Sequence, residues 1–215
     1  MNDSWTGTRV LLTGDSVTDC GRRADPDGLG HGYVRLLAEG PLRAADVRNT
    51  GIGGDRTADL AARWSTDVLD LAPDVLSVLI GINDTWRRYD SGVLTPVEAF
   101  EATYRDLLAR LADHRGDATR LVLVEPFVLP VEPAQERWWA EDLGPRVDVV
   151  HRLAAEHDAV LVPAAAHLTA LAAQRGAAAL AADGVHPTAA GHAELADLWW
   201  RTVSAAGLRS RRSSP

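Results

Sequence analysis

The ten residues VLSVLIGIND, numbers 75–84, decide the fold class of this chain. The run Val75–Ile80 is apolar at all positions but one and is too short for an ordinary helix. Such a run, followed directly by glycine and polar residues, is typical of a strand buried on both faces. Strands of this kind occur in parallel sheets that helices cover on both sides. The stretch therefore predicts a central strand of a parallel sheet.

Similar short runs recur on both sides of this stretch and alternate with longer segments of helical periodicity. This alternation predicts βαβ units and hence an α/β fold with a mostly parallel sheet of about five strands. The other predicted strands are Arg9–Thr13, Asp46–Asn49, Leu121–Glu125 and Val160–Val162. The predicted helices are Thr57–Leu69, Pro96–Leu111, Val147–Glu156 and Ala189–Val203, with Gly116 and Gly207 as helix stops, and the longest irregular connection is predicted at Pro126–Pro145.

Length and charge limit the function classes. A chain of 215 residues predicts one domain, residues 1–208, followed by a disordered tail at 209–215. The formal net charge of −8 repels phosphate backbones and anionic lipids, so we expect neither a nucleic-acid nor a membrane partner. The chain has no signal-peptide pattern and no apolar run of about 18 residues, which predicts a cytoplasmic protein.

The segment after the first predicted strand, Thr13–Gly21, places a serine at a sharp strand exit. Ligand sites in open parallel sheets lie at the carboxyl ends of the strands. A hydroxyl at Ser16 would lie near free backbone N–H groups, which favour developing negative charge. A helix N-cap is an equally simple role for this serine. The segment does not match Gly-x-Ser-x-Gly, so it does not predict an α/β-hydrolase nucleophile elbow.

Two further segments follow predicted strands. Asn49–Thr57 is rich in glycine, which lets the backbone approach a ligand, but Arg56 breaks the Gly-x-Gly-x-x-Gly pattern of a dinucleotide site. Asn83, after the central strand, offers a neutral amide that can donate to an oxyanion, or it can form an Asx-turn.

The last segment of interest, Ala182–Pro187, precedes the final helix. Asp183 stands three residues before His186, a spacing at which the carboxylate can accept the Nδ1–H and leave Nε2 facing a serine. The pair Asp148 and His151 repeats this spacing, but inside a helical pattern, where a surface contact is the simpler interpretation. Because glycine and proline surround the first pair, we assign the catalytic role to Asp183 and His186.

Together these segments resemble the SGNH (GDSL-type) hydrolase superfamily, whose blocks read Gly-Asp-Ser, a glycine after the second strand, Gly-x-Asn-Asp and Asp-x-x-His. The resemblance runs from about Arg9 to Trp200 and is strongest to the intracellular acetylxylan-esterase-like branch. It implies a three-layer α/β/α sandwich of flavodoxin-like type and the activity of a serine ester hydrolase. It also implies the removal of acetyl groups from xylo-oligosaccharides.

By matching position, the resemblance implies a role for each site residue. Ser16 is the nucleophile, His186 the general base and Asp183 the residue that orients the base. The oxyanion hole consists of the Ser16 N–H, the Gly54 N–H in preference to that of Gly53, and the Asn83 amide. The predicted substrate-binding residues are Asp15, Trp86 and Arg87, of which Trp86 would wall the acyl pocket or stack on a sugar.

Alternatives to this function remain open. A short-chain lysophospholipase or thioesterase would need a longer apolar acyl channel, and a carbohydrate-binding protein without catalysis would use the same surface. The remaining histidines show no ligand spacing, so we expect no metal and no cofactor. Cys20 is predicted to be a packing residue. The tryptophan pairs 138–139 and 199–200 predict a homo-oligomer.

Overall fold

The computed structural model describes residues 5–208, and within them one sheet of five strands organises the fold. Every neighbouring pair of strands is parallel, in the order β2-β1-β3-β4-β5, as the hydrophobic pattern predicted. The strands are β1 Arg9–Gly14, β2 Asp46–Asn49, β3 Val75–Leu79, β4 Arg120–Val124 and β5 Val160–Val162.

The helices occupy the connections and include all four that periodicity predicted. They are α1 Ser16–Asp19, α2 Tyr33–Glu39, α3 Thr57–Trp64, α4 Ile82–Asp90, α5 Val97–Arg115, α6 Pro133–Trp138, α7 Gly144–Glu156, α8 Ala164–Arg175, α9 Ala177–Leu180 and α10 Ala189–Ala205. Two π-helical turns, Ser65–Leu69 and Trp139–Leu143, extend α3 and join α6 to α7, and 3-10 turns lie at Arg22–Ala24 and Gly116–Ala118.

The predicted irregular connection at Pro126–Pro145 is wrong in its second half, because α6 and a π-helical turn occupy it. Pro133 begins α6 at a position where its missing N–H costs no hydrogen bond. Gln135 Oε1 accepts the Glu132 N–H at 3.3 Å and so supports the same helix start. Prolines that suggest a loop in the sequence therefore start a helix in the structure.

Helices cover the sheet on both faces, which confirms the three-layer α/β/α sandwich. Residues of α2, α8 and α10 pack against one face, and those of α3, α5 and α7 against the other. All five residues of β3 are buried, as expected of the central strand. The two cores bring the helix starts and the carboxyl ends of the strands to a common edge.

The strand order fixes where this edge opens. The chain leaves β1 toward β2 on one side and reaches β3 on the other, so a topological switch point lies between β1 and β3. Gly14 ends β1 with φ +150°, and a Cβ there would lie 1.9 Å from the Leu79 carbonyl oxygen. Only glycine lets the turn after β1 pass so close to β3. The turn thereby brings Ser16 to the switch point.

The two tryptophan pairs on which the homo-oligomer prediction rests differ in the exposure of their rings. Trp199 is fully buried and donates its Nε1–H to Ser77 Oγ at 3.0 Å, and Trp138 is buried as well. Trp139 is 40% exposed, and Trp200 lies 6.2 Å from Trp5 between ring centroids. Homo-oligomer formation stays a prediction. Of the four tryptophans in these pairs, Trp139 is the one with an exposed ring that could form an interface.

The predicted tail at 209–215 lies outside the described residues, as do residues 1–4. No helix within residues 5–208 has both the length and the apolar character needed to cross a membrane.

Candidate active site

The turn after β1 presents Ser16 as the first residue of α1. Asp15 is the N-cap of this short helix, because its Oδ1 accepts the Val17 N–H at 3.0 Å. Asp15 therefore has the N-cap role that the sequence left open for Ser16. The Ser16 hydroxyl makes no capping hydrogen bond and can contact another group.

That hydroxyl meets the histidine predicted from the sequence. Ser16 Oγ lies 2.9 Å from His186 Nε2, although 170 residues separate them in the chain. His186 Nδ1 lies 2.6 Å from Asp183 Oδ2. An ionised carboxylate only accepts hydrogen bonds, so Nδ1 carries the proton and Nε2 is free to accept from the serine. Both the His186 and Asp183 side chains are nearly half exposed, so the site opens directly to solvent.

Backbone donors hold the Asp183 carboxylate in place. Its Oδ1 accepts the N–H groups of Val185 at 2.9 Å and of His186 at 2.7 Å. Partial burial raises the Asp183 pKa, but the hydrogen bonds from His186 and Val185 outweigh burial and hold the pKa below its usual range. The Asp183 carboxylate is thus ionised at neutral pH, where it can stabilise a protonated imidazole.

Gln135 also supports this turn, although no pattern in the sequence indicated this role. Its Nε2 donates to the Asp183 carbonyl at 2.7 Å, while its Oε1 accepts the Val131 N–H at 2.9 Å. A Cβ at Gly184, where φ is +84°, would lie 2.7 Å from the Gln135 side chain. The glycine of the Asp-x-x-His block therefore makes room for the support beneath it.

The hydrogen-bond partners of the predicted oxyanion donors show which of them are free to bind a substrate oxygen. The Gly53 N–H donates to Asp19 Oδ2 at 2.9 Å and is already occupied. Within residues 5–208 the N–H groups of Ser16 and Gly54 have no intramolecular acceptor. Asn83 uses one amide hydrogen on the Asp55 carbonyl at 3.0 Å, which leaves its second hydrogen for another acceptor. Three donors of the predicted hole are therefore available.

Of the three predicted substrate-binding residues, Asp15 is placed where it cannot contact a substrate. It is 1% exposed and lies beneath α1. Burial, with smaller contributions from the charges of Asp84 and Asp55, raises the Asp15 pKa to about 7. The expectation for Asp15 was wrong because its capping bond turns the side chain into the protein.

Trp86 and Arg87 do lie at the opening. The Trp86 ring centroid is 5.7 Å from that of His186. The Arg87 guanidinium carbon lies 5.9 Å from the Trp86 ring, and Arg87 also pairs with Asp90. A Cβ built on Gly54 would be 3.8 Å from Arg87 Nη2, which puts this cation beside the predicted oxyanion donor.

An aromatic cluster behind Trp86 forms one wall of the site. Trp138 lies 5.8 Å from Trp86 and stacks on Tyr89 at 5.2 Å between ring centroids. The sequence indicated neither contact, because Trp138 belongs to the segment that was predicted to be irregular. The cluster restricts the movement of the Trp86 indole.

Cys20, predicted to be a packing residue, is partly exposed and contacts His192. Its Sγ lies 3.3 Å from His192 Nε2, and His192 Nδ1 accepts the Tyr33 N–H at 3.2 Å. The Nδ1 acceptor role requires that Nε2 carry the proton and donate it to sulfur, so His192 cannot deprotonate the thiol. Burial, assisted by the nearby His186, lowers the His192 pKa to about 4, and burial raises the Cys20 pKa. Both groups are neutral at pH 7.

Comparison with known proteins shows the family of this chain. Residues 12–194 match the model of the GDSL-like lipase/acylhydrolase family. The chain is 35% identical to the acetylxylan esterase of Geobacillus stearothermophilus, over 96% of this chain and 98% of the relative. A mutant of Axe2 from that organism, described as an acetyl-xylooligosaccharide esterase, superposes with a TM-score of 0.82 at 34% identity, over 98% of this chain and all of the other.

A second solved structure is similarly close. LAE5, an α/β-hydrolase enzyme from the metagenome of Lake Arreo in Spain, superposes with a TM-score of 0.80 at 29% identity, over 94% of this chain and 97% of the other. The family model and the acetylxylan esterase each cover well over two thirds of the chain. This chain belongs to the GDSL-like lipase/acylhydrolase family and is a carboxylic ester hydrolase.

Proposed function

We propose that this protein removes acetyl groups from carbohydrate esters, such as acetylated xylo-oligosaccharides, through an acyl-enzyme on Ser16. The observation that carries the proposal is the continuous relay of 2.9 Å from Ser16 Oγ to His186 Nε2 and 2.6 Å from His186 Nδ1 to Asp183 Oδ2. This arrangement of serine, imidazole and carboxylate is that of acyl-transfer enzymes on several unrelated folds.

In the first half-reaction the serine attacks the ester carbonyl carbon. His186 Nε2 takes the hydroxyl proton as the Oγ–C bond forms, and the positive imidazole is stabilised by the Asp183 carboxylate. When the tetrahedral intermediate collapses, the same proton passes from Nε2 to the departing alcohol oxygen. The acetyl group remains on Ser16, and the sugar hydroxyl is released.

Water completes the cycle by the same groups. His186 Nε2 removes a proton from a water molecule as its oxygen attacks the acyl carbon, and it returns that proton to Ser16 Oγ when acetate leaves. Because the His186 side chain is about half exposed, water has direct access to it. No lid movement is needed for deacylation.

The carbonyl oxygen becomes an anion in both half-reactions. Three neutral donors are suited to stabilise it: the N–H groups of Ser16 and Gly54 and the free amide hydrogen of Asn83. Asn83 is 2% exposed, and its amide is fixed by the bond to the Asp55 carbonyl. A donor held in place before the reaction loses little free energy to reorganisation in the transition state.

Two observations support a small acyl group on a polar alcohol. The Trp86 indole stands beside His186 and is fixed by Trp138 and Tyr89, which leaves little room for a long acyl chain. The 35% identical relative is an acetylxylan esterase. An aromatic face at an open site is also suited to stack on a sugar ring.

Labelling of Ser16 tests the chemistry. We expect a fluorophosphonate probe to attach to the wild-type protein at Ser16, and Ser16→Ala to lose both labelling and ester hydrolysis while keeping its melting temperature. Esterase activity that persists in a pure preparation of Ser16→Ala would refute the proposed nucleophile.

A panel of esters tests the substrate class. We expect kcat/KM to be higher for acetylated xylosides than for octanoyl esters, and Trp86→Ala to narrow the difference. In a lipase-type site each buried methylene would add about 0.8 kcal/mol of binding, so longer esters would be preferred. Faster hydrolysis of octanoyl esters by the wild-type protein would favour a lysophospholipase or thioesterase.

A further inference from the structure

The two backbone oxyanion donors of the proposed site come from two separate segments. The Ser16 N–H belongs to the nucleophile turn, residues 14–20, and the Gly54 N–H to the glycine loop, residues 49–55. Two donors bind one oxyanion only if their separation is correct, and errors of about 1 Å can reduce a rate by a factor of about 100. A side chain that holds both segments would therefore affect the reaction without contacting the substrate.

Arg63 in α3 holds both segments with a single guanidinium group. Its Nη2 donates to the Gly14 carbonyl at 3.0 Å, two residues before the nucleophile. Its Nη1 donates to the Thr50 carbonyl at 2.6 Å, and its Nε donates to Asp55 Oδ2 at 2.7 Å. Asp55 directly follows Gly54, so Arg63 contacts the glycine loop near both of its ends.

The environment makes this contact rigid. The Arg63 side chain is only 13% exposed, and Nη1 also donates to Asp67 Oδ2 at 3.0 Å. The guanidinium is planar and its donors have fixed directions, so four simultaneous acceptors determine its position. Two carboxylates, Asp55 and Asp67, compensate its charge in this largely buried environment.

We propose that Arg63 is a positioning residue for ester hydrolysis, because it sets the distance between the Ser16 and Gly54 N–H groups that share the oxyanion. This inference rests on the proposed function. Arg63 contacts protein carbonyls and carboxylates and not the substrate, so its loss should change substrate binding little. It should displace the oxyanion donors, and these donors stabilise the transition state more than the ground state. The consequence is a fall in kcat with little change in KM.

The variant Arg63→Lys tests the proposal. Lysine keeps the charge, but one ammonium group cannot reach Gly14, Thr50 and Asp55 together. We expect kcat for an acetyl ester to fall about 10- to 100-fold, as for a displacement of about 1 Å, with KM changed less than about threefold. In Arg63→Ala, added methylguanidinium should restore part of the lost kcat, because it can bind the same carbonyl and carboxylate acceptors.

Arg35 provides a matched control away from the oxyanion donors. Its guanidinium also has several acceptors, namely the Gly30 carbonyl at 2.8 Å, Asp25 at 2.7 Å and Glu39 at 2.6 Å. Arg35→Lys should lower the melting temperature in the same way as Arg63→Lys and leave kcat within about twofold of wild type. The folded fraction of each variant is measured by circular dichroism, and kcat is referred to it.

The outcomes separate this inference from the function on which it rests. If the wild type hydrolyses acetyl esters and is labelled at Ser16, but folded Arg63→Lys keeps kcat or changes only KM, the role of Arg63 is refuted alone. If the wild type is neither labelled nor active, the proposed function fails first. Should Arg63→Lys not fold, Asp55→Asn must lower kcat at least about threefold, and an unchanged kcat there refutes the inference.

Discussion

The molecule contains two Asp-x-x-His pairs with identical spacing and different surroundings. In the loop before α10, Asp183 Oδ2 lies 2.6 Å from His186 Nδ1, and His186 Nε2 lies 2.9 Å from Ser16 Oγ. In α7, the Asp148 side chain is exposed, and His151 Nε2 lies 2.5 Å from Glu125 Oε1 instead. The same three-residue spacing therefore produces a relay in one place and a partly exposed histidine with a different partner in the other.

The difference follows from the backbone. In the loop, the Val185 and His186 N–H groups are free to bind Asp183 Oδ1, so the carboxylate is directed at the imidazole of its own turn. In a helix, backbone N–H groups are already committed to carbonyls four residues earlier. The Asp-x-x-His spacing forms a relay only where backbone N–H groups are free to orient the carboxylate. Gly184 and Pro187 indicated in the sequence that such a loop is present at Asp183.

Removal of each histidine should give the largest contrast between the pairs. His186→Ala removes the general base and should lower kcat by about 10⁶-fold, whereas His151→Ala should leave it within about twofold. Steady-state hydrolysis of an acetyl ester measures both. Comparable losses in the two variants would mean that the pairs are not functionally different.

Removal of each carboxylate charge should give a smaller contrast. Asp183→Asn leaves the shape of the turn but favours the wrong imidazole tautomer, and we expect kcat to fall by about 10⁴-fold. Asp148→Asn changes an exposed side chain and should have no measurable effect on kcat. A silent Asp183→Asn would show that His186 does not depend on this partner.

Replacement of Glu125, the partner of His151, should affect the stability of the protein and not its catalysis. Glu125 is 3% exposed, and its Oε2 accepts the Ala165 N–H at 3.0 Å at the start of α8. Glu125→Gln should reduce the free energy of unfolding by about 1–3 kcal/mol, because hydrogen bonds to a buried charge are lost. Urea denaturation measures the change, and Asp148→Asn, expected within about 0.5 kcal/mol of wild type, is the control.

The lowered pKa of Asp183 predicts the smallest effect, a dependence of stability on pH. A carboxyl group whose pKa is lower in the folded state stabilises the protein above its unfolded pKa of about 3.9, and this contribution is lost as the pH falls through the folded value. The stability difference between wild type and Asp183→Asn should therefore be smaller at pH 2.5 than at pH 5. Because the group is about half exposed, we expect a change below about 1 kcal/mol, measured by urea denaturation at both pH values.

The sequence by itself determined the fold class and the main candidates for the site. Strand-forming runs such as 75–80 are local, and their burial on both faces follows from composition alone. Ser16, Asn83 and His186 stand directly after strands or before a helix, in turns whose residue types report their conformation. Such signals survive in a single sequence because each depends on only a few neighbouring residues.

Only the tertiary structure decided how these local pieces are held. Arg63 meets Gly14 across 49 residues, and Gln135 meets the Asp183 carbonyl across 48, so no local pattern reports either contact. The burial of Asp15, predicted to bind substrate, and of Trp138, predicted to take part in self-association, likewise depends on what packs over them. The residue type determines the chemistry of a side chain. Its exposure and its hydrogen-bond partners are set by elements that are distant in the chain and become adjacent only after folding.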